Sequence, residues 1–184
     1  ITLPEHPQFQ ERASSNFRHS IYLWPLRLHY TRGTDSFRFD DQPWVTYKDK
    51  KKAKFEVQFP TKPKADKKKD SWFISATLDE PLTNFYVNVD FGSSNYDEAS
   101  FRTKVDNNIN VIESVFSTKI KDKTEFQFNG SLCIEYSYEM FGMKSLQRSF
   151  YKNNIVYELT INPIVGTEIP ADAKDKFFSS FHFL

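Results

Sequence analysis

The chain has 184 residues, of which 39% are hydrophobic and 27% charged, with 25 Lys and Arg set against 24 Asp and Glu. One domain with a real hydrophobic core fits those values; a disordered chain and a whole-molecule polyanion binder do not. Only five glycines occur, no two closer than twelve positions, so no dinucleotide fingerprint, Walker A loop or nucleophile elbow can be written.

Residues 1 to 48 carry aromatic side chains at Phe9, Phe17, Tyr22, Trp24, Tyr30, Phe37, Phe39, Trp44 and Tyr47 without a sustained helical period. This reads as an aromatic-rich arm or strand extension, separate from a domain at 49 to 184. Pro25 breaks the extended stretch from Ser20 to Tyr30 into edge-strand pieces. From Lys48 to Lys69, ten lysines face only Asp49, Glu56 and Asp66, a local balance of +7. Inside that run Ala53, Phe55, Val57 and Phe59 alternate with polar residues, the pattern of a half-buried strand. Pro60 and Pro63 end it. Lys62 to Asp70 reads as a solvated loop, and strands follow at Trp72 to Leu78 and at Asn84 to Phe91, the three strands being expected to pair antiparallel.

A helix is expected from about Asp97 to Phe116, because Phe101, Val105, Ile109, Ile112 and Phe116 recur at steps of 4, 4, 3 and 4. Asn95 with Glu98 would form its capping box. Phe101, Ile109 and Ile112 then face a sheet while Arg102, Lys104 and Asp106 face solvent. Strands resume at Lys119 to Phe128, Ser131 to Met140, Ser145 to Tyr151 and Asn154 to Ile161, with Asn129-Gly130 and Asn153-Asn154 as hairpin turns. Ile169-Pro170 opens a last helix whose buried face carries Ala173, Phe177 and Phe181. The fold class is α+β, with a central, mostly antiparallel sheet of six to seven strands, one long helix and one C-terminal helix.

Three stretches carry a family resemblance. Lys54-Phe55-Glu56-Val57-Gln58-Phe59-Pro60 with Pro63 is similar to the opening F-x-V-x-x-P strand of the PsbP family. Tyr151 to Leu159 resembles that family's hairpin ending in a Y-x-L strand, and Ala173 to Phe183, closing on Phe178-Ser179-Ser180-Phe181, is similar to its terminal F-x-x-S-F helix. The match covers about residues 52 to 184 and implies a PsbP-like α/β/α sandwich. It also implies a noncatalytic accessory or assembly module, periplasmic, membrane-surface or secreted, with a protein partner in a larger, membrane-associated complex. Residues 1 to 48 lie outside the match.

The residues themselves give no catalytic set, and no cofactor is expected. Cys133 is the sole cysteine, which forbids an intramolecular disulfide and a cysteine zinc site, and it reads as an apolar filler within a strand. His6, His19, His29 and His182 form no helical pair and no H-E-x-x-H run, so no metal is expected. The longest stretches free of charge are nine residues, about half of what spans a bilayer. The chain starts at Ile1 without a methionine, which fits a trimmed form lacking a signal peptide or lipid anchor. Tyr22, Trp24 and Trp44 are the candidate partner-binding residues, exposed rings being costly unless covered. Lys50, Lys51, Lys67 and Lys68 are the candidate anion-binding residues, and they carry the alternative reading of a small-ligand or anion-binding protein. Nucleic acid is not expected, since arginines are few in the lysine run and no groove-reading element accompanies it.

Overall fold

A computed structural model describes residues 43–92, 96–164 and 168–184. Among the described residues the strands are β1 Val45–Asp49, β2 Phe55–Phe59, β3 Lys64–Lys67, β4 Ser71–Asp79, β5 Leu82–Asp90, β6 Lys121–Phe128, β7 Ser131–Met140, β8 Met143–Lys152, β9 Ile155–Pro163 and β10 His182–Phe183. The helices are α1 Glu98–Phe116 and α2 Ala171–Ser179. Seven strands form one sheet in the order β3-β4-β5-β9-β8-β7-β6, and β1-β2-β10 form a smaller one. Every pairing is antiparallel.

Alternation in the strands makes the layers. Trp72, Ile74, Ala76 and Leu78 of β4 and Phe85, Val87 and Val89 of β5 are buried on one face, together with Phe150, Leu159 and Ile161. Over that face lie Phe55, Val57 and Phe59 of the small sheet, Phe177 and Phe178 of α2, and Phe181 just beyond it. On the opposite face α1 sets Phe101 and Val105 against Ile134, Tyr136, Tyr138 and Val156. The large sheet is thus covered by α1 on one side and by α2 with the small sheet on the other.

Polar contacts on both flanks fix the helix over the strands. Toward β6, Arg102 meets Glu125 and Asp106 meets Lys123 at 2.8 Å. Toward β5 and β9, Lys104 donates to Asp90 and Asn108 to Glu158, each at 2.5 Å. Each flank uses an i, i+4 pair, which places both members on one side of the helix. Lys104 is therefore half-buried and bonded, not turned to solvent as the helical period alone suggests. Burial works to lower its pKa, but the hydrogen bond and charge of Asp90 outweigh it and hold the ammonium above its ordinary value.

Other expectations are corrected by the fold. The capping box is Asp97 with Ser100: the Ser100 N–H donates to the Asp97 carboxylate at 2.8 Å and the Asp97 N–H donates to the Ser100 hydroxyl at 2.9 Å. Asn95 lies outside the described residues. The stretch read as a solvated loop contains β3, which pairs with β4 from Lys64 opposite Ser75 to Lys67 opposite Trp72. All its side chains are exposed, so only the backbone ladder defines it. The strand at 55 to 59 belongs to the small sheet, not beside β4 and β5, because alternation reports a buried face and says nothing of the neighbour. Residues 45 to 48, read as the end of the extension, belong to β1, which pairs along the whole of β2.

Replacing Phe101 by Ala should destabilise the protein by about 3–5 kcal/mol, since the ring is fully buried between α1 and the large sheet. Val111→Ser, on the outward side of the same helix, should stay within about 0.5 kcal/mol. Urea unfolding followed by circular dichroism measures both, and equal effects would contradict the packing of α1.

Candidate functional site

Most of the lysine run folds into one end of the sandwich, with Lys62 at the opposite end of β2. The β1–β2 turn carries Lys50, Lys51, Lys52 and Lys54, and the β3–β4 turn carries Lys68 and Lys69. A hydrogen bond from the Lys52 ammonium to the Lys69 carbonyl joins the two turns. The β8–β9 hairpin adds Lys152 from far along the chain, and with Lys52 and Lys54 it lines a shared cavity.

Several of these cations are committed to the fold. Lys48 pairs with Glu56 at 2.5 Å. Lys67 lies 3.7 Å from Asp49 and 4.1 Å above the Trp72 ring, while the Lys52 ammonium sits 3.7 Å from the centre of Phe91. Such cation–ring contacts are worth about 0.5–1 kcal/mol at exposed sites, enough to bias a side chain's position. Of the candidate anion-binding residues, Lys50, Lys51 and Lys68 are exposed in the two turns and Lys67 is spent on Asp49 and two rings.

Asp49 organises the β1–β2 turn. Its Oδ1 accepts from the backbone N–H groups of Lys51, Lys52 and Ala53 at 3.2, 2.9 and 2.9 Å. Burial works to raise its pKa, yet these donors and the Lys67 ammonium outweigh it and hold the carboxyl below its usual value. The sequence reading took Asp49 only as a counter-charge; its position just before a run of turn residues was the available signal.

The candidate aromatic residues fare differently. Tyr22 and Trp24 lie outside the described residues. Trp44 is half-buried, edge-on to Phe85 at 5.9 Å, with the Lys176 ammonium 5.1 Å from its ring centre. One face of that ring is therefore committed to the core.

At the other end of the large sheet the fold exposes apolar side chains that sequence reasoning missed. Phe141, in the β7–β8 turn, is 79% exposed, and Val111 and Val115 on the last turns of α1 are 50% and 54% exposed. Phe116 meets the Phe141 ring edge-on at 5.9 Å. Phe141 has φ +53° and Gly142 +76°. A left-handed backbone suits glycine or asparagine and is costly for a bulky side chain.

The groups that would do chemistry are packed or dispersed. Cys133 is fully buried, and burial pushes its thiol up to about 12 despite the nearby Arg148. Arg148 is itself paired to Glu135 at 2.5 Å and lies 4.2 Å from the Phe178 ring. Among the described residues no cluster of three His, Cys, Asp or Glu side chains could hold a metal ion. Of the histidines, only His182 is described; it is exposed in β10. No described helix is long and apolar enough to cross a membrane.

The layers and topology define a PsbP-like α/β/α sandwich, as the three motifs imply. Among solved structures, the chain is similar to cyanobacterial PsbP (CyanoP) from Synechocystis, with a TM-score of 0.58 and 10% identity, over 84% of this chain and 98% of that one. The Saccharomyces cerevisiae Ran-binding protein Mog1p aligns more loosely, with a TM-score of 0.46 and 9% identity over 78% of this chain and 96% of that one. No family model and no curated protein matches the sequence. At such identities the first likeness establishes the fold alone, and the second adds no weight to it.

Asp49→Ala should cost about 1–3 kcal/mol, because three turn N–H groups lose their acceptor. In the parent protein the carboxylate's contribution is fully present above its ordinary pKa of 3.8 and is lost as the pH falls through the lower folded value. Unfolding measured from pH 7 downward should show the parent's advantage over the variant shrinking at the acid end.

Proposed function

We propose that this chain is a noncatalytic accessory module that docks onto a protein of a larger assembly. The observation that carries the proposal is the Phe141 patch. Folding gains from the ring only its edge contact with Phe116, while Asn or Gly would make the turn without the roughly 1–2 kcal/mol cost of a left-handed conformation. The ring is also left in water. Exposed apolar clusters of this kind mark protein contacts. At the same end α1 presents Asn107, Asn110 and Ser114 around Val111 and Val115, while Lys119 paired to Glu113 lies just past the helix and Glu139 and Lys144 flank the Phe141 turn, a polar rim around exposed apolar side chains.

The aromatic residues Tyr22, Trp24 and Trp44 supply a second contact in this proposal. Placement outside the cytoplasm, on a membrane-associated complex, is proposed from the PsbP-like fold. The lysine end supports a second reading, an anion-binding role, taken up below.

Phe141→Asn should raise stability by up to about 1 kcal/mol while weakening partner capture, a trade that a purely structural turn would not make. Val115→Asp should abolish capture with little change in melting temperature. Quantitative pull-down of a defined, stoichiometric partner, alongside thermal denaturation, measures both. Capture indifferent to both substitutions would overturn the docking surface. Turnover of esterase, phosphatase, glycosidase or peptidase substrates that disappears with one Ser, His or Asp substitution would overturn the noncatalytic reading.

Deleting residues 1 to 42 should reduce capture while leaving the remainder folded. Added salt should then have only a mild effect on capture by the full chain, since apolar contact is little screened. A steep salt dependence would move the contact to the lysine end.

A further inference from the structure

The cavity at the lysine end lies away from the Phe141 patch and does not rest on the docking proposal. It has a volume of about 180 Å³ and is lined by Lys52, Lys54, Lys152, Asn153, Tyr157 and Phe183, among others. Among the described residues no Asp or Glu lines it. Its cations come from two separate hairpins, the β1–β2 turn and the β8–β9 hairpin, and only the folded sandwich brings them together.

Two of its ammonium groups are held in place. Lys52 rests on Phe91 and donates to the Lys69 carbonyl, and Lys152 lies 4.5 Å from the centre of the Phe183 ring. Lys54 has a left-handed backbone, φ +48°, and its carbonyl accepts from the Leu184 N–H at 2.8 Å, so the base of its side chain is fixed too. The Tyr157 hydroxyl is occupied by the Ala53 carbonyl at 2.6 Å, which leaves the cations and Asn153 as the donors available to a ligand.

We propose that this cavity binds a phosphate monoester group, with Lys54 and Lys152 as its principal cations, Lys52 as a third and the Asn153 amide as a neutral donor. Charge sets the class, since Lys54 and Lys152 balance a dianion where one carboxylate would leave a charge over, and Lys52, already held by Phe91 and the Lys69 carbonyl, adds only a peripheral cation. Size sets the extent, since the volume falls below the roughly 300–1,000 Å³ of drug-sized pockets and suits a single phosphate with a short appendage. The same chemistry is offered by a soluble phosphate ester and by a phosphatidic acid headgroup.

Glycerol phosphate titrated into the full chain, followed by amide chemical shifts, tests the soluble source. Sedimentation with phosphatidylcholine vesicles containing phosphatidic acid, or phosphatidylserine at equal charge, tests the lipid source. Binding should saturate with at least one phosphomonoester probe, exceed that to phosphatidylserine, and weaken as salt is added. Lys54→Gln and Lys152→Gln should each weaken it by about tenfold, the worth of one charge-assisted hydrogen bond. Lys62→Gln, in the same lysine run but at the opposite end of β2, should leave it within about twofold. Circular dichroism of each variant confirms folding; should one misfold, the other still reads the cavity. Equal losses for Lys62→Gln and Lys152→Gln, equal binding to both anionic vesicles, or no saturable binding to either probe would overturn the proposal.

Discussion

The sandwich depends on one aromatic node that joins the small sheet to the large one. Phe55 of β2 stacks on Phe181 at 5.5 Å and meets Tyr157 of β9 at 5.8 Å, while Phe150 of β8 lies 4.7 Å from Phe181 and 5.9 Å from Tyr157. These rings are essentially fully buried, each worth about 1.5–3 kcal/mol of transfer free energy. Three polar side chains beside them are hydrogen-bonded as well. Tyr157 donates to the Ala53 carbonyl; the Ser180 hydroxyl accepts from the Gln58 N–H at 2.9 Å and donates to the Phe177 carbonyl at 2.9 Å. Asn129 of the β6–β7 turn reaches the Phe181 carbonyl at 2.9 Å. The three stretches that resemble the PsbP family supply Phe55, Tyr157 and Phe181 of this node, and Phe150 immediately precedes the second of them. Their residues encode a joint between layers, so they specify fold and leave function to the surfaces around it.

The strands were legible from their apolar content, β4 and β5 through clean alternation and β7 and β9 although both of their faces are buried, and all four fall close to where the pattern puts them. The turns at Asn129-Gly130 and Asn153-Asn154 were legible for a local reason: each residue has a positive φ, which those residue types tolerate. β3 was not legible, since neither of its faces is buried and its lysines and aspartate resemble a loop. Nor could the pattern place β2 in the small sheet, because pairing is decided across the core by the partner rings. The helix was legible from its buried stripe, but Lys104 was not, because its burial comes from Asp90 on a strand rather than from its own helix.

The candidate sites were less legible, and for different reasons at the two ends. The lysine run is visible as a charge excess, yet the fold spends Lys48, Lys52 and Lys67 on Glu56, ring faces and Asp49. Its free charge is therefore smaller than the local balance suggests. Lys152 restores part of it from a hairpin almost a hundred residues away, a juxtaposition no local pattern records. Phe141 is a single ring before a glycine, and only its exposure and left-handed backbone distinguish it from the many rings that fill the core.

The edges of the large sheet narrow how a partner can approach. β3 at one edge carries Lys64, Asp66 and Lys67, and β6 at the other carries Lys121, Asp122, Lys123 and Glu125, with a register shift between Lys121 and Thr124. Charged residues and bulges discourage another strand from adding to an edge. β6 is further engaged by α1 through Arg102 and Asp106, whose ion pairs occupy its outward side chains. Contact by strand addition is thus opposed at both edges. Side-chain surface of two kinds lies at the two ends of the large sheet: exposed apolar residues where α1 finishes and at Phe141, and a cationic surface where three hairpins meet. The two differ in chemistry and lie a full strand length apart, so a partner gripping the apolar end leaves the cationic cavity open.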